Sequence, residues 1–588
     1  MRLVLLKEIP DDSKLHQQWN ALVKSVDRPQ VFYTYEWALA VQRAYGATLC
    51  PLVFLAYDDQ ESLCGVVALA LDLDRSVSFL CATTGDYCDF LSLPEQRPAF
   101  VSTVLGELRK LEIKKIALAN LPADSSTIAA IRQTSHGHGW LCFARTAYVC
   151  AQVSLERLER GRDGNRIAPG QKRVRRFAKA IAPEGAVHFD HNRSWDAVAP
   201  MLPQFIRAHV GRFLEIGRIS NLANARRRIF LEELAKLLSQ PQWLVLSRML
   251  AGERVVAWHY GFQFYDTWFW YQPTFDSRVE KHWPGFCLLT QVIQEATENP
   301  ALTTLDLGLG SEAYKAKFAN ESRETLYVTL QSPRLKHWAT QLRYRVTEAV
   351  KTHPSMEKLV RVLRKEFREL RDRVRTQGLP QTFAWAGRRL LRTIWLRDEV
   401  LFFEWRNAEP APMDLKNVQL CALDLSRLAV AAMKYEGDEA TLEYLLRSTQ
   451  RLRAEGMQGF VLATDDGSPV HFAWVAPFNG FFCAELNATL HGSPDCVLLF
   501  DCWTPAEVRG HSYYKRAIEL IAARMIANGK QPWIFSAASN TASVRGLEKA
   551  GSVRRYSLVR NRLLGWERTT ANQPNPDTAP GAEASAHI

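Results

Sequence analysis

The sequence predicts an α/β (α+β) chain of three modules with mixed central sheets and a basic helical connector. Three observations predict it. Short apolar strands alternate with amphipathic helices along most of the chain. The order strand, Gly-containing turn, helix occurs in "VLLFDCWTPAEVRGHSYYKRAIEL" and again in "DTWFWYQPTFDSRVEKHWPGFCLLTQVI". The excess charge is concentrated: from Arg334 to Arg397 there are 17 Lys/Arg and 5 Asp/Glu, and 17 − 5 = +12 is the whole net charge of the 588 residues. The basic excess therefore belongs to a connector and not to a nucleic-acid face spread over the protein.

At this length one hydrophobic core is not enough, and several domains are expected. The N-terminal "MRLVLLKEIPDDS" has too short an apolar run for a secretory leader, and no window approaches the length of a membrane span. The 11 cysteines are scattered without a CxxC pair, which suits reduced thiols. These features lead us to expect a cytoplasmic protein, peripheral at the inner membrane surface if the connector docks there.

The elements follow in order. Residues 1–153 form a first module, with strands "CPLVFLAYD", "LCGVVALALDL" and "KKIALANL" between helices such as "TYEWALAVQRAYG". The polar "LERGRDGNRIAPG" is a linker. Residues 165–332 form a second module, opened by "QKRVRRFAKAIAPEG" and closed by "LDLGLGSEAYKAKFAN". The connector spans 333–397. Within it Val360, Leu363, Phe367, Leu370 and Val374 recur at helical spacing, and "FAWAGRRLLRTIWLR" reads as a basic aromatic helix for a membrane surface or a neighbouring domain. Residues 398–567 form the last module, and 568–588, rich in Pro, Ala and Asn, a disordered tail.

In the last module an apolar strand feeds "TPAEVRGHSYY" and then a helix. The unpaired N–H groups and positive dipole end of such a helix favour phosphate. A strand ending "SAASN" and a helix ending "EKAG" follow. This succession resembles the GNAT acyltransferases. The resemblance implies that acyl-CoA sits where two strands splay, with Arg509, Gly510, His511 and Ser512 at its pyrophosphate and Asn540 near its thiol end. Ser512 and Tyr514 stand where that family has glycines, and Leu547 where it commonly has a tyrosine that protonates the departing thiolate.

In the second module "ERVVAWHYGFQFYDTWFWYQPTFDSRVEKHWPGFCLLTQVIQEA" with "LDLGLGSEAYKAKFA" resembles the acetyltransferase domain of the CelD/BcsL family, associated with bacterial cellulose and exopolysaccharide production and related to Fem-type peptidyltransferases. The first module, with "GDYCDF", suits the preceding half of such tandem proteins. Chemically, Asp306 at a strand end before Gly308 and Gly310 suits a substrate-side site. Glu312 is a candidate base, and Tyr314 or Lys315 a donor to developing charge. The alternative is that Asp306 caps the turn while Tyr314 and Lys315 pack as surface. Pro284 and Gly285 lie where the resemblance implies a pyrophosphate loop. His209, three residues from Arg212 on one helical face, is a further candidate, and His259 reads as a buried core histidine.

The resulting expectation is direct acyl transfer from acetyl-CoA or another acyl-CoA to a small-molecule amine, an amino-sugar or related envelope precursor, nucleotide-linked or phosphorylated in some versions. It needs no metal and no covalent enzyme intermediate. Two alternatives remain: a Fem-like transferase using aminoacyl-tRNA, the one version with a nucleic-acid partner, and a catalytically lapsed scaffold on a polysaccharide synthase.

Overall fold

The computed structural model describes residues 1–161, 164–310, 312–332, 334–351, 395–405, 418–563 and 566–572, with isolated positions 371, 374, 378 and 381. The chain forms two compact units. One comprises Met1–Arg212 and Asn224–Ala349; the other comprises Phe213–Ala223 and the described residues from Val350 on.

The first unit is built on one sheet of 13 strands. In chain order these are β1 (Arg2–Leu6), β2 (Cys50–Tyr57), β3 (Leu63–Leu71), β4 (Ser76–Phe79), β5 (Leu91–Ser92), β6 (Lys115–Pro122) and β7 (Leu141–Ser154). Then come β8 (Val187–Asn192), β9 (Leu244–Ala251), β10 (Arg254–Phe264), β11 (Thr267–Phe275), β12 (Thr304–Asp306) and β13 (Glu321–Gln331). The spatial order is β1-β2-β3-β4-β6-β13-β7-β12-β11-β10-β9-β8, with β5 on β3. Two strands are exchanged. β13, last in the chain, inserts between β6 and β7, while β7 reaches across to pair with β12. The sheet therefore runs without a break through both N-terminal modules, and β7 and β13 belong to each. The segment "LERGRDGNRIAPG" connects the modules along the chain but does not divide the sheet.

The second unit has an eight-stranded sheet. Its strands are β14 (Trp395–Glu404), β15 (Val418–Ala422), β16 (Gln458–Thr464), β17 (Pro469–Pro477), β20 (Cys496–Trp503), β21 (Gln531–Ala537), β22 (Val553–Leu563) and β23 (Trp566–Asn572), ordered β15-β16-β17-β20-β21-β14-β22-β23. A separate hairpin pairs β18 (Phe481–Cys483) with β19 (Ala488–Leu490). All 11 cysteines are free.

Two boundaries differ from the sequence reading. The basic aromatic segment was expected to stay helical through Arg397, but β14 begins at Trp395, because Trp395–Arg397 pair with Leu563–Asn561 of β22. The tail was expected from 568, yet β23 continues to Asn572, held antiparallel on β22. Positions 573–588 and nearly all of the connector beyond Lys351, including the repeat from Val360, lie outside the described residues.

In each module a single parallel pair interrupts otherwise antiparallel pairing: β4 with β6, β11 with β12, and β20 with β21. Parallel neighbours need a crossover, and each is a helix: Arg97–Lys110, Pro284–Glu298 and Tyr513–Ala527. A splayed-strand site must lie at one of these three places.

Candidate functional site

In the first module β4 pairs with β6 only from Ser76/Lys115 to Ser78/Ala117, and β6 runs on to Pro122. The space beside it is taken by the following loop. Cys88 donates its N–H to the Asn120 carbonyl, and Asn120, at φ +59°, donates Nδ2 to the Gly85 carbonyl at 2.9 Å. The crossover helix starts with Arg97, 1% exposed, whose guanidinium donates to Ser92, Ser125 and Thr127 and lies 3.6 Å from Asp89. Protein groups thus engage the cation at this helix start.

In the second module the β11–β12 ladder ends at Phe269/Asp306 while β11 continues to Phe275. Here too side chains occupy the opening. Trp270, 3% exposed, stacks on buried His259 at 4.1 Å, and Phe286 meets Phe318 at 4.3 Å. Trp270 and Phe318 belong to one hydrophobic core, with Phe286, Tyr314 and Phe275 packed against it. Burial pushes the Tyr314 hydroxyl up to about 12. Pro284 and Gly285 begin the crossover helix behind Trp283, which sits at φ +63°. A Cβ on Gly285 would come within 3.1 Å of the Phe275 ring. Arg173 lies 4.9 Å over Trp283 and 4.5 Å over Phe286, and Lys317 4.8 Å over Trp283, so aromatic rings engage the nearby cations.

The remaining first-unit candidates are held by burial and by local partners. Asp306, 2% exposed, accepts from Tyr87 Oη, Gln152 Nε2 and the Gly308 N–H, each at 2.7 Å, so its carboxylate holds the turn. Lys315, 4% exposed, donates to the Leu309 carbonyl at 2.8 Å and pairs with exposed Glu312 at 2.8 Å. His209 is 2% exposed, and burial lowers its pKa to about 4. Sequence reasoning missed Asp86. Burial, then the Asp306 carboxylate, raise this part-exposed residue to about 7, while Lys315 opposes them. Its Oδ2 lies 2.7 Å from where a Cβ on Gly308 would stand, which is why this turn needs a glycine at φ +71°. The stretch "GDYCDF" was the available signal, but the partners lie more than two hundred residues away.

The third place is open. β20 pairs with β21 from Cys496/Gln531 to Leu499/Ile534, and both strands continue unpaired with each other, to Trp503 and Ala537. Between and beyond them lies a cleft of about 1020 Å³. Two cavities in the first unit measure about 20 and 30 Å³. Arg509, Gly510, Ser512 and Asn540 line the cleft; His511 is exposed beside them, its ring 5.7 Å from Tyr513.

The helix Tyr513–Ala527 opens toward this cleft. Ser512 is its N-cap residue at φ +59° and makes no side-chain capping bond, so the first-turn N–H groups lack the usual side-chain acceptor. Gly510 sits at φ +88°, with open space where a Cβ would project. Arg509 donates Nε to the Thr504 carbonyl at 3.0 Å and lies 5.6 Å over the Trp503 ring. Asn540 caps the next helix, accepting from the Ser543 N–H at 3.2 Å. Leu547 is fully buried in the core, and Tyr514, packed against Gly546, places its hydroxyl 2.9 Å from Ser543 Oγ at the cleft wall. Within the β17–β20 ladder the register slips between Trp474/Phe500 and Phe472/Trp503, and Asp501 takes φ +45°. Such a bulge takes backbone groups out of the ladder, here at the head of the cleft. Among the described residues no cluster of His, Cys, Asp and Glu is arranged to hold a metal, and no helix is long and apolar enough to cross a membrane.

Comparison with known proteins adds to this geometry. Residues 170–316 match the sequence model of the Acetyltransferase (GNAT) domain. No curated protein matches the chain. Among solved structures it is similar to FemX (10% identity, 56% of this chain and 97% of that one, TM-score 0.37). It is also similar to L-PGS from Bacillus licheniformis (11%, 53% and 96%, TM-score 0.35). A third is a tandem GNAT protein from the clavulanic acid biosynthesis pathway (12%, 56% and 99%, TM-score 0.34). Likeness at this level assigns nothing to this chain. The match over residues 170–316 gives it an acetyltransferase-type domain, and with it a place among the acyl-transferring enzymes.

Proposed function

We propose that this chain transfers an acyl group from an acyl-CoA thioester to a primary amine, with the CoA seated in the cleft of the second unit. One observation carries the reading: the β20–β21 ladder stops at Leu499/Ile534 and a cleft of about 1020 Å³ opens onto a helix start without a side-chain cap. The residues present suit CoA. Arg509 and the first-turn N–H groups would face its pyrophosphate. The unpaired edges of β20 and β21 would meet its amides, as an added strand does. The bulge at Asp501–Cys502 offers main-chain donors for the thioester oxygen. Tyr514 and Ser543 form a hydroxyl pair that can return a proton to the departing thiolate, while Leu547 has no group for this. Bringing amine and thioester together supplies the rest.

The acceptor class rests on the sequence resemblance, which favours an amino-sugar or related envelope precursor. For the first unit the two occupied openings favour a second reading, that of GNAT-type folds kept as scaffold.

The test is calorimetric titration of CoA and acetyl-CoA into the full chain and into Ser512→Glu. The variant sets a carboxylate at the helix start, on an exposed residue. Binding by the native chain and at least tenfold weaker binding by the variant are expected. No binding by the native chain sinks the reading, and equal binding by both places CoA elsewhere.

A further inference from the structure

We infer that the thioester end of this cleft is built for an apolar acyl group of several carbons, and not for acetyl alone. The inference rests on the reading of the cleft as an acyl-CoA site. The cleft has a direction. From the end of the ladder at Leu499/Ile534, β20 runs outward through Phe500 to Trp503 and on to Thr504, Arg509 and the helix start. The phosphate-binding end is the outer one, so the thioester and its acyl group belong at the vertex.

The vertex is aromatic. Phe500 and Phe535 are the first residues past the last paired positions on the two strands. The β18–β19 hairpin brings Phe481 to them, with ring centroids 4.8 Å from Phe500 and 6.2 Å from Phe535. Phe482 and Met457 also line the cleft, and Phe482 is 58% exposed, a large apolar surface left to solvent at a cavity wall. The charged groups nearby are engaged. Arg451 pairs with Asp501 and lies 5.4 Å over the Phe500 ring. Glu485 accepts from the Cys483 thiol at 3.4 Å. Phe500 is already buried, but Phe481 and Phe535 are part-exposed; an acetyl group would cover little of the apolar surface they form with Phe482, whereas a chain of four to eight carbons would cover it and remove it from water.

Each methylene so buried contributes about fourfold in affinity. The experiment is calorimetric titration of the full chain with CoA, acetyl-, butyryl-, hexanoyl- and octanoyl-CoA. Hexanoyl-CoA is expected to bind on the order of 10²-fold tighter than acetyl-CoA. Phe481→Ser should shrink the hexanoyl-to-acetyl ratio at least fivefold. Phe482→Ser, at an exposed position where folding is safe, should shrink it in the same direction by less. If CoA and acetyl-CoA bind but affinity does not rise with chain length, the inference falls while the acyl-CoA reading stands. A ratio unchanged in both variants also overturns it. If neither CoA nor any thioester binds, both fall.

Discussion

The second module and the last one are built to the same plan and differ at the point that decides function. In each, a parallel strand pair ends early and a crossover helix begins beside the gap. The second module, where the family match lies, fills its gap with Trp270, Phe286, Tyr314 and Phe318. The last module, outside that match, keeps a cleft of about 1020 Å³ and a helix start without a side-chain cap. Sequence kinship and an open site therefore lie in different parts of this chain. A fold keeps its pattern for packing reasons, while binding requires that side chains leave the gap empty. The comparison can be broken by showing that the filled gap is not held by its own residues, or that the open one does not bind.

The largest effect is expected at Asp306. Its carboxylate accepts three hydrogen bonds in a buried setting, from Tyr87, Gln152 and Gly308. Asp306→Ala leaves two buried donors, from Tyr87 and Gly308, and the part-buried Gln152 amide without their acceptor and should cost about 3 kcal/mol in the unfolding of the first unit. Glu312→Ala, removing an exposed partner of Lys315, should cost less than about 1 kcal/mol. Urea unfolding of both variants is the check. A loss below about 1 kcal/mol at Asp306 would mean that the turn is not locked and that the residue is available to a substrate.

The next effect is a contrast in pH response. His209 and His259 in the first unit, and His471 in the second, are buried and held to about 4, 3 and 3 against an ordinary 6.5. The unfolded chain binds these protons first, so each contributes stability that is lost as pH falls below 6.5. Asp86 acts in the opposite sense. Its folded value, about 7 against 3.8, means the folded state holds a proton the unfolded state has released, so stability falls as pH rises from about 4 to 7. Asp89, also raised by burial, adds to it. The first unit should therefore respond weakly between pH 4 and 7. Asp86→Asn should make its stability climb with pH, by on the order of 2 kcal/mol more than in the native chain at pH 7.5. Unfolding midpoints of the native and Asp86→Asn chains at pH 5 and 7.5 decide this, and an unchanged slope would contradict the assignment.

The last module was legible because its signals are local. Pro505, Arg509 and Gly510 punctuate the end of an apolar strand, and the 3.6-residue pattern after them marks the helix. The mixed α/β class followed from the same kind of signal. The exchange of β7 and β13 was not legible, because pairing Glu321 with Gln152 depends on residues far apart in the chain. The filling of the second gap was hidden for the same reason: "AYKAKF" shows a tyrosine and a phenylalanine, but only packing against Phe286 and Trp270 makes them a plug. Asp86 shows the limit most clearly. In "GDYCDF" it is one acid among two, and its raised pKa depends on burial and on Asp306. The extension of the last strand past residue 567 to Asn572 was missed because its polar sequence carries no alternation; pairing with β22 holds it.

The smallest effect separates the two helix starts directly. Arg509 is exposed, and among the described residues its side chain is held by a bond to the Thr504 carbonyl and contact with Trp503, so its remaining donors are available to an anion. Removing one charge-assisted contact to a phosphate should weaken CoA binding about tenfold, or about 1.4 kcal/mol. The loss should shrink at high salt, because this contact is open to solvent. Arg173 and Lys317, stacked on Trp283 and Phe286 at the other helix start, should leave CoA affinity unchanged when replaced by Ala. Calorimetry on the three variants at low and high salt gives the answer. If Arg173→Ala and Lys317→Ala weaken CoA binding and Arg509→Ala does not, then the filled gap opens for the ligand and the open cleft is the decoy.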